Sequence, residues 1–214
     1  MQLQDNEGMA RTRSPDFELR QQQILHSAAV LFAAHGYSET LLEDIAEHCG
    51  IKRSSIYHYH ESKHALLHSL ITWKIGELAR KVEAAVGSVQ GPHQKLEALV
   101  DSLVKDYVAS PHEVKILNTQ THHLDEAALK STAQLQDRII NHAREAIQQI
   151  RPDIRLTPKY NTAMAMLLFG MVNWIHVWYK PKGGITQDQL VQLIVRQFVA
   201  GLEHQVPVWQ KTSA

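Results

Sequence analysis

Residues 36–67 read GYSETLLEDIAEHCGIKRSSIYHYHESKHALL, and no other stretch limits the fold so narrowly. Leu42, Ile45 and Ala46 recur at helical spacing, so Leu41–Cys49 is expected to be a short helix with those three facing inward. Gly50 follows at once, and glycine reaches positive φ without a Cβ penalty, so the chain can turn sharply there. Ile51 can plug the angle to a second helix over Arg53–His58, with Ile56 inward. Ser62 is placed to cap a long helix starting near Lys63. Two short helices joined by a glycine turn make a helix-turn-helix unit.

The rest of the chain fits an all-α fold of about nine helices. Ile24, Ala28, Leu31 and Phe32 form an apolar stripe over Asp16–His35, which Gly36 ends. After Lys63–Val86 the spacing predicts helices over Pro92–Ser110, His112–Asn118, Asp125–Ile150, Lys159–Trp178 and Gln187–Gln205. Pro158 suits a first helical turn, and Thr186 suits a cap. No run alternates as a strand would. The expected organisation is a disordered arm at 1–15, a three-helix helix-turn-helix domain at 16–64, and a helical domain at 65–214. With 44% hydrophobic residues, a chain of 214 can bury a sizeable core.

Composition excludes several classes. A lone cysteine, Cys49, allows no internal disulfide and suits a reducing cytosol. The polar N-terminus does not read as a signal peptide. Ala163–Trp178, the longest apolar stretch, is broken by Gly170, Asn173 and His176 and is short for a bilayer, so no membrane partner is expected. The chain reads as cytoplasmic. There is no nucleophile elbow, no phosphate-cradling glycine loop and no Cys/His signature, so no catalytic residue and no cofactor is expected. Fourteen histidines raise the question of a metal, and His60, His64 and His68 are spaced by four. No carboxylate or cysteine completes a set at a recognised spacing, so no metal is expected.

The second short helix carries chemistry that suits DNA. Arg53 is a five-donor fork fit for a guanine edge or a phosphate. Ser54 and Ser55 allow close approach, and Tyr57 and His58 are available outward. Lys52, Tyr59 and Lys63 can reach phosphate oxygens. Bulk charge does not advertise the role. Residues 1–75 hold seven Lys/Arg against nine Asp/Glu, a net −2, although Lys52–Lys74 holds four cations and one anion. A nucleic-acid binder is expected to be more basic than this. The bland alternatives are a helical hairpin without a DNA role, or a helical interaction protein.

Gly36, Thr40, Ile45-Ala46, Gly50-Ile51, Ser54-Ser55, Ile56-Tyr57-His58-Tyr59 and Lys63 together resemble the DNA-binding segment of TetR-type transcriptional regulators. The resemblance implies an all-helical homodimer that represses transcription until a ligand releases it. By position it implies that Arg53, Ser54, Ser55, Tyr57 and His58 face double-stranded operator DNA while Thr40, Tyr59 and Lys63 hold phosphates. Leu41 stands where the family has a second Ser or Thr capping the helix, and His60 stands for Phe.

Phe169-Gly170-Met171, Asn173-Trp174 and Trp178-Tyr179 resemble members that respond to acyl-CoA thioesters. That implies a bulky, partly apolar effector, an acyl-CoA thioester or instead a drug, phenol or free fatty acid. Asn173, Trp174 and His176 either line its pocket or pack at an interface. Met164, Leu167, Leu168, Met171, Ile175 and Trp178 share a broad side of one helix. In the last helix Val191, Val195 and Val199 lie beside Leu190, Ile194 and Phe198. A two-fold four-helix interface would use these apolar sides, as would a wholly intramolecular core. A dimer sets its reading helices roughly 34–36 Å apart or a multiple of that, so a near-palindromic operator is expected.

Overall fold

The computed structural model describes residues 15–152 and 158–204. The chain divides into two compact units, Met1–Leu66 and Leu67–Ala214. The expected arm, with Arg11 and Arg13, lies outside the described residues, as does Gln205. Every described regular element is helical.

The first unit holds α1 (Pro15–His35), α2 (Leu42–His48) and α3 (Arg53–Ile56). Ile24, Ala28 and Phe32 of α1, Ile45 and Ala46 of α2 and Ile56 of α3 are buried. Each large side chain of this kind contributes roughly 1.5–3 kcal/mol by leaving water. Gly50 sits at φ +65°. Its N–H donates to the Glu47 carbonyl at 2.9 Å, and the Ile51 N–H donates to the Ala46 carbonyl at 3.0 Å. This is a Schellman motif, and it closes α2 as the glycine predicts. The second helix is shorter than Arg53–His58. His58 and Tyr59 donate three residues back, to Ser55 and Ile56, so the chain leaves α3 through tight turns. Leu41 gives α2 no side-chain cap. The Asp44 carboxylate instead accepts from the Leu41 N–H at 2.7 Å. His60 is buried where the family pattern has Phe.

The long helix α4 (Lys63–Gly87) opens on Ser62, whose hydroxyl accepts from the Ala65 N–H at 3.0 Å. There follow α5 (Pro92–Ala109), α6 (Pro111–Thr119), α7 (Glu126–Ile150), α8 (Pro158–Asn173), α9 (Ile175–Trp178) and α10 (Gln187–His204). Prolines open α5, α6 and α8, where the missing N–H has no helical partner to lose. Asp125 caps α7 by accepting from Ala128 N–H at 2.8 Å. Thr186 and Gln189 form a reciprocal capping box on α10. In the second unit α5 is central, packing on α6, α7, α8, α9 and α10. Its Leu96, Leu99, Val100, Leu103 and Val104 are all buried. The helix expected over Lys159–Trp178 breaks at Trp174, and the single turn α9 buries Ile175. Among the described residues no helix is long and apolar enough to cross a membrane.

The structure corrects most of the expected subunit contacts. Met164, Leu168, Ile175, Leu190, Ile194 and Phe198 are buried within the chain's own core. They belong to the inward faces of α8, α9 and α10, so they have no surface left for a partner. Met171 and Trp178 are exposed, with Leu167, Trp174 and Leu193 beside them in the exposed set. The periodicity is helical, but it does not tell the buried face from the exposed one when both are apolar.

Candidate functional site

The candidate site of the first unit is built by the glycine turn. With Ile56 buried, the rest of α3 is forced outward: Lys52, Arg53, Ser54, Tyr57 and His58 are exposed, and Ser55 is half-buried. The Arg53 side chain is 69% exposed and makes an ion pair with Glu43 of α2. Tyr59 is half-buried, its ring stacked on Phe17 of α1 with centroids 4.7 Å apart.

Two residues expected to hold phosphates do something else. Thr40 is 2% exposed, and its hydroxyl donates to the Gly36 carbonyl at 2.8 Å. It ties the loop back to the end of α1 and turns no side-chain donor to solvent. Lys63 Nζ donates to the carbonyls of Tyr37, Ser38 and Thr40 at 2.8, 3.0 and 3.0 Å. An ammonium has three N–H donors, and all three are engaged. Nζ also lies 4.7 Å over the Tyr37 ring, a cation–π contact. Burial pushes the Tyr37 hydroxyl above its ordinary value, so it stays protonated. Lys63 therefore staples the loop before α2 to the start of α4. No motif reveals this, because the acceptors are backbone atoms more than twenty residues away.

The second unit contains a cavity of about 140 Å³, its floor made by Ile75 and Leu78 of α4, Leu103 of α5, Ile139 of α7 and Phe169 of α8. Asn118, Gln136 and Met166, all exposed, also line it and mark its mouth. One polar pair reaches inside: Tyr107 Oη donates to Asn173 Oδ1 at 2.7 Å. Tyr107 is buried, and burial, helped by the charge of Asp106, pushes its hydroxyl well above the ordinary value. Of the three expected pocket residues, Asn173 alone lines this cavity. Trp174 is 62% exposed and lies outside it. His176 is half-buried, with Nδ1 2.6 Å from the Asn173 carbonyl, and lines no part of it. Tyr107 escaped the sequence reading because one tyrosine in an aliphatic stripe looks like ordinary core.

Behind the cavity stands a buried charge network that no motif announced. Lys74 of α4 is 1% exposed. Its Nζ donates to Asp106 Oδ1 at 2.9 Å, Glu77 Oε2 at 3.0 Å and Ser110 Oγ at 3.1 Å. Lys81 Nζ reaches the same Asp106 oxygen at 2.8 Å. Burial alone would push the Glu77 carboxyl up, but hydrogen bonds from Lys81 and Lys74 outweigh it and hold it below its ordinary value. Burial would likewise pull Lys81 down, and its hydrogen bonds to Asp106 and Glu77 raise it instead. Among the described residues no three His, Cys, Asp or Glu side chains group as a metal site.

Residues 24–70 match the bacterial regulatory proteins of the tetR family, and residues 89–202 match the tetracyclin repressor-like C-terminal domain. The chain belongs to the tetR family. It is a DNA-binding helix-turn-helix transcriptional repressor, in a family of regulators and not of enzymes. It is 25% identical over 185 residues to the HTH-type transcriptional repressor KstR2 of Rhodococcus jostii RHA1, covering 86% of this chain and 91% of that one. The structure of a TetR-family transcriptional regulator from Bordetella parapertussis 12822 superposes with a TM-score of 0.79 at 30% identity, over 87% of this chain and 97% of that one. AibR, solved in complex with isovaleryl coenzyme A and operator DNA, superposes with a TM-score of 0.73 at 26% identity, over 83% and 97%.

Proposed function

We propose that this repressor works as a homodimer on a near-palindromic operator and is released by a small acyl-type effector, most simply an acyl-CoA thioester. In this reading the N-terminal unit reads DNA with Lys52, Arg53, Ser54, Ser55, Tyr57 and His58, in the bacterial cytoplasm at the nucleoid. The C-terminal unit binds the effector and pairs the subunits.

The observation that carries the effector reading is the 140 Å³ apolar cavity with one polar pair in its wall. A cavity of roughly 150 Å³ accommodates a benzene-sized molecule. A short or branched acyl group fits that volume, and a fused-ring system does not. The Asn173 amide N–H groups are free to donate to a carbonyl, since Tyr107 already engages its oxygen. A coenzyme A moiety is far larger and would lie outside the Asn118–Gln136 mouth. AibR, a structural neighbour, was solved with such a thioester and DNA together, which supports the same division of labour here. Ile75 and Leu78 place the cavity wall on α4, the helix that begins at Lys63. An effector shifts the repressor only by its different affinity for the DNA-competent and released states.

The test is a thermal-shift and gel-retardation series with free coenzyme A, isovaleryl-CoA and a steroid-bearing thioester. The expected result is stabilisation and DNA release by isovaleryl-CoA alone. Tyr107→Phe should weaken that response by about tenfold, the worth of one hydrogen bond. Release by the steroid thioester in preference, or by none of the three, would sink the small-acyl reading.

A further inference from the structure

Arg53, the cation of α3, is paired with a carboxylate. Glu43 stands in the first turn of α2, and its Oε1 pairs with Arg53 Nη2 of α3. The other acid of that turn, Asp44, has a structural task, since it accepts from the Leu41 N–H. Glu43 is not needed for that cap. An exposed ion pair also stabilises a fold very little. Whatever approaches Arg53 from solvent therefore meets a carboxylate beside it.

We infer that Glu43 is a specificity-determining residue, which turns Arg53 away from phosphate oxygens and towards a guanine edge. This rests on the DNA-facing role proposed above for α3. A guanidinium offers five N–H donors in a fixed fork, and with 69% of the side chain exposed the donors not facing Glu43 remain in solvent. A phosphate approaching them meets the Glu43 carboxylate, a like charge. A guanine presents N7 and O6, two acceptors without net charge, so it can take those donors while the ion pair stays intact. The paired cytosine presents its N4 amino group, and the second carboxylate oxygen can accept from it. The surplus of carboxylates in residues 1–75 acts in the same sense, by keeping sequence-independent attraction to DNA low.

The test uses the full-length protein as wild type, Glu43→Gln, Arg53→Ala and the double variant. Binding sites are selected from duplexes with a randomised core, and retention on poly(dA-dT), which offers no paired N7 and O6 acceptors, is followed against salt. Wild type should enrich a guanine in each half-site that Arg53→Ala no longer selects. Glu43→Gln keeps the side chain's shape and removes its charge. It should bind poly(dA-dT) about tenfold tighter, with a log–log salt slope steeper by about one, as one further cation becomes free for phosphate. Its preference for that guanine should fall about tenfold, while its melting temperature stays unchanged. In the Arg53→Ala background most of these effects should vanish, because the cycle isolates the coupling. An unchanged guanine preference in Glu43→Gln overturns the inference. So does an equal rise in poly(dA-dT) binding in both backgrounds, which would reflect only the loss of a negative charge. A wild type that enriches no sequence overturns the DNA-reading role itself, and this inference with it.

Discussion

Lys63 has the geometry of a structural cross-link. Its three hydrogen bonds to Tyr37, Ser38 and Thr40 carbonyls join a loop to a helix start across more than twenty residues. Hydrogen bonds to a charged group stabilise by more than neutral ones do, so Lys63→Gln should cost about 2 kcal/mol in urea denaturation. A residue that only touched phosphate would lower DNA affinity and leave the urea midpoint where it was. Gly50 is simpler. A Cβ built there meets nothing within 4 Å, so only the backbone conformation at φ +65° is at issue. Gly50→Ala should cost about 1 kcal/mol, the penalty of the left-handed region for an L-residue. A neutral effect would mean that the turn relaxes into another conformation. At this scale the glycine's task was legible, because φ > 0 is a property of one residue. The lysine's was not, because its acceptors are carbonyls that every residue carries.

At the scale of helices, the α4–α5 joint is set by the Lys74–Asp106 pair. Removing one partner of a buried ion pair leaves the other uncompensated, which costs roughly 3–5 kcal/mol. Lys81 also reaches Asp106, so Lys74→Met should fall at about the lower end of that range, read by the shift in denaturation midpoint. The network also fixes a pH dependence. Glu77 is lowered in the folded state, so its contribution is present above its ordinary value of 4.5 and is lost as pH falls through the lowered one. Lys81 is raised, so its contribution is lost only in alkali, above its ordinary 10.5. The melting temperature should drop less steeply below pH 4.5 in Glu77→Gln than in wild type. Equal slopes would show that the pair titrates elsewhere. Helix positions and caps could be read in advance from Ser62, Thr186 and the prolines, since these signals act within one turn. The partners of Lys74 could not, because Asp106 and Ser110 come from another helix.

At the scale of the whole molecule, α8 and α10 pack on each other and still leave Leu167, Met171 and Leu193 in water. Trp174 and Trp178 are exposed beside α8 as well. The proposed homodimer would bury these side chains. Under the proposed homodimer, Leu167→Glu with Leu193→Glu should yield a monomer in sedimentation equilibrium. Its operator affinity should drop at least a hundredfold, because two linked reading heads bind far more tightly than one. A dimer surviving both changes would place the interface on other residues.

The sequence by itself determined the helical class, the glycine turn, the caps of α4 and α10 and the place of the second short helix. Each of these follows from the period of apolar residues or from the local chemistry of a few neighbours. Only the tertiary structure decided which apolar stripe of α8 and α10 is core and which is surface. It also decided that Lys63 and Thr40 brace the loop, and that Tyr107 meets Asn173 in the cavity wall. Those facts depend on pairs far apart in the chain, and no spacing rule carries information about them.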